Sequence, residues 1–146
     1  MISRGRVLAA VGVILGFGVV SLLFAGSASL PMRDGVLKLP GLQAPVAVAF
    51  DAYGIPVVAA GDRLDAMRAL GYVTAQDRLF QMDLLRRNSA GRLAEVLGES
   101  GLQVDLRQRN LGLSSVAEAV LRRLPEEQRA VLEAYAEGVN AFLEQM

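Results

Sequence analysis

From Arg63 to Arg87 apolar residues recur at helical spacing, and polar residues interrupt the apolar stripe. Offsets of three and four put Asp77 and Gln81 on one azimuth with Leu70, Val73 and Leu84, while Tyr72, Ala75 and Leu79 fall on the opposite side. A helix that is apolar on both sides, with an acid and an amide inside one stripe, is expected to be enclosed by other protein. Asp62 is placed to cap its start, and Asp65 adds negative charge to its first turn. Gly71 lies inside the pattern at a cost of roughly 1 kcal/mol against alanine, which points to close approach of another backbone. Asp83 and Arg87 stand four apart in the favourable order. Asn88-Ser89-Ala90-Gly91 predicts the helix end, and Arg92 to Leu97 a short helical turn closed by Gly98.

On either side of this helix the pattern changes. Val46 to Phe50 and Ile55 to Ala60 are short strand candidates, and Asp51-Ala52-Tyr53-Gly54 between them has the chemistry of a turn. Pro56 has no N–H, so the second strand begins there or lies at an edge. Glu99 to Ser115 is read as loop or strand, with Leu102, Val104 and Leu106 alternating among polar residues. Helical spacing resumes at about residue 114 and reaches Arg123. Leu124-Pro125-Glu126-Glu127 then starts another helix, with Pro125 at its first position and acids in its first turn. Val131, Leu132, Tyr135, Val139, Phe142 and Leu143 form its expected stripe, which runs to Met146 without a capping glycine. The predicted class is α+β and mainly helical: a hairpin over 46–60, a long helix over about 63–87, and helices over about 114–123 and 126–146.

The first 30 residues have a different character. Arg4 and Arg6 precede an uncharged run, Val7 to Met32, whose core is about long enough to cross a hydrocarbon layer. A cleaved secretory signal is one reading, with Ala25-Gly26-Ser27-Ala28-Ser29 as the cut; a signal anchor spanning residues 7–25 is the other. Both place the remainder outside the cytoplasm, in the periplasm or an equivalent compartment. Residues 31–45, rich in proline and glycine, read as a linker into a domain over 46–146.

Composition narrows the chemistry. Fifteen basic and 15 acidic side chains balance, which leaves no footprint for nucleic acid. Cysteine and histidine are both absent, so this chain alone supplies no thiol nucleophile, no Ser-His pair and no His-ligated metal. Glu126-Glu127 is a helix start. Asp77 with Gln81 is open to two readings: a buried acid with catalytic use, or an acid held by Arg78, Arg86, Arg87 or a partner's backbone. No catalytic, cofactor-binding or metal-ligating residue is assigned.

Several segments, in order, resemble the start of the α chain of penicillin acylases, also called penicillin amidases. They are Asp51-Ala52-Tyr53-Gly54-Ile55-Pro56, the run from Gly71 to Asp83, Arg86-Arg87, Gly91 to Gly98, and Tyr135 to Phe142. The AQDRLFQM core from Ala75 to Met82 is the most specific of them. Phe50 before Asp51 and Val57-Val58 after Pro56 depart from the usual pattern, which bears on local packing or substrate shape. The family belongs to the N-terminal-nucleophile hydrolases, with acyl-homoserine lactone acylases and cephalosporin acylases.

The resemblance implies amide hydrolysis by a serine at the N-terminus of a β chain, released from one precursor by self-cleavage. It implies an αββα enzyme of which this chain is an incomplete, N-terminal piece, inactive alone, with the β chain as partner, an N-acyl amide as substrate and calcium in the complete enzyme. The alternative is a membrane-anchored helical binding module that has lost catalysis.

Overall fold

The computed structural model describes residues 16–18, 20–21 and 32–146. The signal or anchor expected over 1–30 lies largely outside the described residues. No helix among the described residues is long and apolar enough to cross a membrane.

Strand β1 (Ala47–Phe50) pairs antiparallel with β2 (Pro56–Ala59), with Ala47 opposite Ala59 and Phe50 opposite Pro56. The turn is held by Asp51, whose carboxylate accepts the Tyr53 and Ile55 N–H groups at 2.8 Å each. Gly54 takes φ 77°, a left-handed conformation that suits glycine. Alternation turns Val48, Phe50 and Val58 inward and leaves Val57 exposed. A two-stranded ribbon is marginal alone. This one rests on Tyr72, Val73 and Ala141, with Leu39, Val48, Phe50 and Phe142 packed around them.

Helix α1 spans Arg63–Ala90, and the Asp62 side chain accepts from the Leu64 and Asp65 N–H groups at its start. Gly91 ends it in the left-handed conformation, donating to the Arg87 and Asn88 carbonyls. Helix α2 (Ala94–Leu97) runs into a 3-10 turn over Gly98–Gly101, followed by α3 (Leu102–Leu111), α4 (Leu113–Arg123) and α5 (Glu126–Leu143). The segment from Glu99 to Ser115, expected as loop or strand, is therefore helical. Its alternation was misleading because Leu102, Val104 and Leu106 are all exposed and no buried face selects them. The one buried residue of α3 is Asp105. Pro125 stands one residue before α5, in an extended conformation, rather than at its first position.

Helix α5 runs parallel to the first half of α1. Arg63 approaches Glu127, Arg68 meets Glu137, and Tyr72 reaches both Phe142 and Gln145. The buried stripe of α5 is Ala134, Gly138 and Ala141, while Leu132 and Leu143 of the expected stripe are exposed. Small residues are selected because the backbones nearly touch. A β-carbon on Gly138 would lie 1.9 Å from the Arg68 carbonyl oxygen. Tyr72 and Phe142 close the far end edge to face, with centroids 5.6 Å apart.

Candidate functional site

The stretch from Gly71 to Gly98 divides at Arg78, where φ −135° and ψ 21° depart from the helix. Before this point Gly71, Tyr72, Val73 and Ala75 are buried; after it no residue of α1 is. Asp77 and Gln81 fall at the divide and face outward. The Asp77 side chain is 51% exposed and pairs with Arg78 at 3.1 Å. Gln81 accepts from the same guanidinium at 3.2 Å. The expected enclosure of Asp77 and Gln81 does not occur among the described residues, where burial in α1 ends at Ala75. Of the two readings of Asp77, the arginine-held acid is the one observed. Phe80 and Leu85 are 67% and 66% exposed, so the second half of α1 displays apolar surface.

The polar centre of the fold is Asp65, which the sequence suggested only as a favourable first-turn charge. It is fully buried. Its carboxylate accepts the Gln43 N–H on both oxygens and the Ala44 N–H on one, all at 3.0 Å. Arg68 adds a charged partner at 3.2 Å and continues to Glu137 at 2.6 Å. One carboxylate thus joins residues 43–44 to α1, and Arg68 extends the junction to α5. A buried charge is tolerable when its lone pairs are filled in this way. The available signal was the spacing of Asp65 and Arg68, three apart on a helix, but that spacing does not reveal Gln43 and Ala44 some 22 residues back.

Asp105 repeats the device in α3. It is buried, and its carboxylate accepts the Leu93 and Ala94 N–H groups at 2.7 and 2.9 Å, filling donors that α2 leaves free at its start. Arg109 donates to the Gly91 carbonyl at 2.8 Å. The Gly91–Gly98 segment is therefore held by α3, the element least visible in the sequence.

Between these lies a surface chain of ion pairs. Asp83 accepts from Arg86 at 2.6 Å and Arg87 at 2.7 Å; Arg87 also meets Glu95, which pairs with Arg92 at 2.6 Å. Arg87 and then Arg86 hold the Asp83 carboxyl below its ordinary range, and Arg92 does the same for Glu95 with help from Arg87. In the core, burial pushes the Tyr72 phenol up while its hydroxyl donates to Gln145 at 2.7 Å.

These groups position backbone; none faces a nucleophile. Glu127 is an exposed partner of Arg63 at 3.5 Å. Among the described residues no group of three or more acids is assembled that could hold a metal ion.

A family model described as penicillin amidase matches residues 45–146. The chain is 49% identical over 116 residues to penicillin acylase 2 proenzyme of Pseudomonas sp. (strain SE83), covering 80% of this chain and 15% of that protein. It is 42% identical over 115 residues to the acyl-homoserine lactone acylase QuiP of Pseudomonas aeruginosa, covering 79% and 14%. A solved structure, thermostable penicillin G acylase from Alcaligenes faecalis, superposes with TM-score 0.63 at 36% identity, over 69% of this chain and 54% of that one. The chain thus spans about a seventh of the length of the curated relatives it matches.

Proposed function

The chain belongs to the penicillin amidase family, and from that premise we propose that it is the N-terminal scaffold of an amidase that hydrolyses a linear N-acyl amide bond. The substrate class is that of penicillins or acyl-homoserine lactones. The observation that carries this reading is the match across residues 45–146 at up to 49% identity, with the AQDRLFQM run inside it.

On this reading the nucleophile is a serine at the N-terminus of a second chain, cut from the same precursor. Its α-amine, with an ordinary pKa of roughly 7.7–8.0, accepts the hydroxyl proton as the oxygen attacks the amide carbonyl. No histidine is then needed. The relative's name, proenzyme, supports processing. So do the shares covered: the match takes 15% of the proenzyme but 54% of the solved acylase chain, a much shorter polypeptide. The exposed Phe80 and Leu85 on α1 supply surface for the rest of such an enzyme. Residues 1–30 export the protein, as a cleaved signal or a retained anchor.

A chimera tests the reading. Residues 45–146 replace the matching segment of the Pseudomonas sp. proenzyme, and maturation and hydrolysis of a chromogenic N-acyl amide are measured. Two-chain maturation with hydrolysis is expected. A folded chimera that neither cleaves itself nor hydrolyses the amide overturns the proposal. Hydrolysis by the purified 146-residue chain alone would overturn the placement of the nucleophile elsewhere.

A further inference from the structure

We propose that the protein is jointed at Arg78: residues 79–111 form an arm that pivots, on the interruption in α1, against a core made of the hairpin, residues 63–77 and α5. Four observations carry this. The first is the break itself. A 28-residue helix loses helical geometry at one position that is neither glycine nor proline. One turn earlier the Thr74 hydroxyl donates to the Leu70 carbonyl at 2.7 Å, a back-bond that competes with the helical ladder and bends helices.

The second is the distribution of burial. All the buried residues of α1, Asp65 to Ala75, precede the break. Parallel packing brings the end of α5, at Phe142 and Gln145, to Tyr72. Val73, one residue on, still packs with Ala141, and burial in α1 ends at Ala75.

The third is that each side has its own fasteners. The core is tied by Asp65 to Gln43, Ala44 and Arg68, by Arg68 to Glu137, and by the backbone contact at Gly71 and Gly138. The arm is tied by Asp83, Arg87 and Glu95, by Asp105 to Leu93 and Ala94, and by Arg109 to Gly91. Gly91 and Gly101 pack so closely that a β-carbon would meet Arg109 at 2.6 Å or Ala94 at 2.8 Å. Segments fastened internally behave as separate cooperative bodies. At the divide stand Asp77, Arg78 and Gln81, three exposed side chains sharing one guanidinium.

The fourth is the return path. The chain re-enters the core through α4, which has no buried residue, and through the extended Leu124 and Pro125. Gly112, at φ 64° with open space around it, separates α3 from α4. Both crossings between arm and core are thus weakly braced, as a hinge requires.

The sequence has no cysteine, so spin labels can be placed without background. In the full chain, Ser89→Cys with Glu133→Cys reports arm against core. Ser89→Cys with Gln103→Cys reports within the arm, and Arg63→Cys with Glu133→Cys within the core. Pulsed dipolar spectroscopy is expected to give a cross-joint distance distribution about twice as wide as either internal one, or two-peaked. A cross-joint distribution as narrow as the internal pairs overturns the proposal. So does an equally broad distribution for the pair inside the arm, because the arm is then not a body.

Discussion

Gly71 and Tyr135 meet backbone to backbone: a β-carbon on Gly71 would lie 2.1 Å from the Tyr135 carbonyl oxygen. Gly138 makes the reciprocal approach to Arg68. The two helices can therefore sit this close only with hydrogen at both positions. Gly71→Ala and Gly138→Ala gain roughly 1 kcal/mol in helix propensity but force the helices apart, at about 1–3 kcal/mol or more. The net expectation is destabilisation in both, read from urea unfolding. Gly61→Ala, which meets nothing within 4 Å, is the control and should be near neutral.

Asp65 is the second determinant of the core. Removing the carboxylate leaves the Gln43 and Ala44 N–H groups unfilled and Arg68 with only Glu137. Asp65→Ala should cost about 3–5 kcal/mol, the usual scale for breaking a buried charge pair. That is a large part of a typical domain's stability. Asp65→Asn keeps one acceptor and should fall between. Urea midpoints measure the loss, and amide exchange at Gln43 and Ala44 locates it; wild-type protection there in Asp65→Ala would show that the carboxylate does not hold this segment.

Much of this was legible in the residues and some was not. The hairpin turn, the Asp62 cap and the Asp83–Arg87 pair are local: each depends on residues within four positions, and each announces itself by spacing. Gly71 was legible as an anomaly, since a mid-helix glycine asks for a neighbour, although not as contact with Tyr135 specifically. Asp65 and Asp105 were hidden because their partners are backbone N–H groups, which every residue carries and no pattern marks. The α3 helix was hidden for a related reason. It buries an aspartate rather than an apolar stripe, so hydrophobic periodicity had nothing to register. Asp77 and Gln81 share an azimuth with buried Val73, but a helical wheel does not show where along the helix a covering element stops, and burial in α1 ends at Ala75.

Acidification should loosen the arm before the core. The Asp83 and Glu95 carboxyls are held lower in the folded protein than in the unfolded chain by their arginine partners. Groups of that sign add stability above their unfolded values, near pH 4, and lose it as pH falls through the folded ones. The pairs are exposed, so the effect is modest and screened by salt. Lowering the pH from 5 to 3 should reduce protection of the Asp83–Ala90 amides, after correction for intrinsic exchange, more than that of the Ala69–Ala75 amides. In Asp83→Asn with Glu95→Gln the difference should shrink, and 1 M salt should shrink it in the parent.

The exposed half of α1 gives the sharpest contrast between this chain and a longer enzyme. Phe80 and Leu85 are about two-thirds exposed and Asp77 is paired only with its neighbour Arg78. Changes here remove no buried contact, so Phe80→Asp, Leu85→Asp and Asp77→Ala should each alter the unfolding free energy of the 146-residue chain by no more than about 0.5 kcal/mol. If the surface is covered in a complete amidase, the same Phe80→Asp and Leu85→Asp changes place a charge against apolar protein, at a cost of several kcal/mol. In the proenzyme chimera they should then block self-cleavage, and Asp77→Ala should slow it. Normal maturation of the Phe80→Asp and Leu85→Asp chimeras would mean that this face stays open to solvent in the whole protein. Normal maturation with lost turnover in Asp77→Ala would instead restore a catalytic part for that acid.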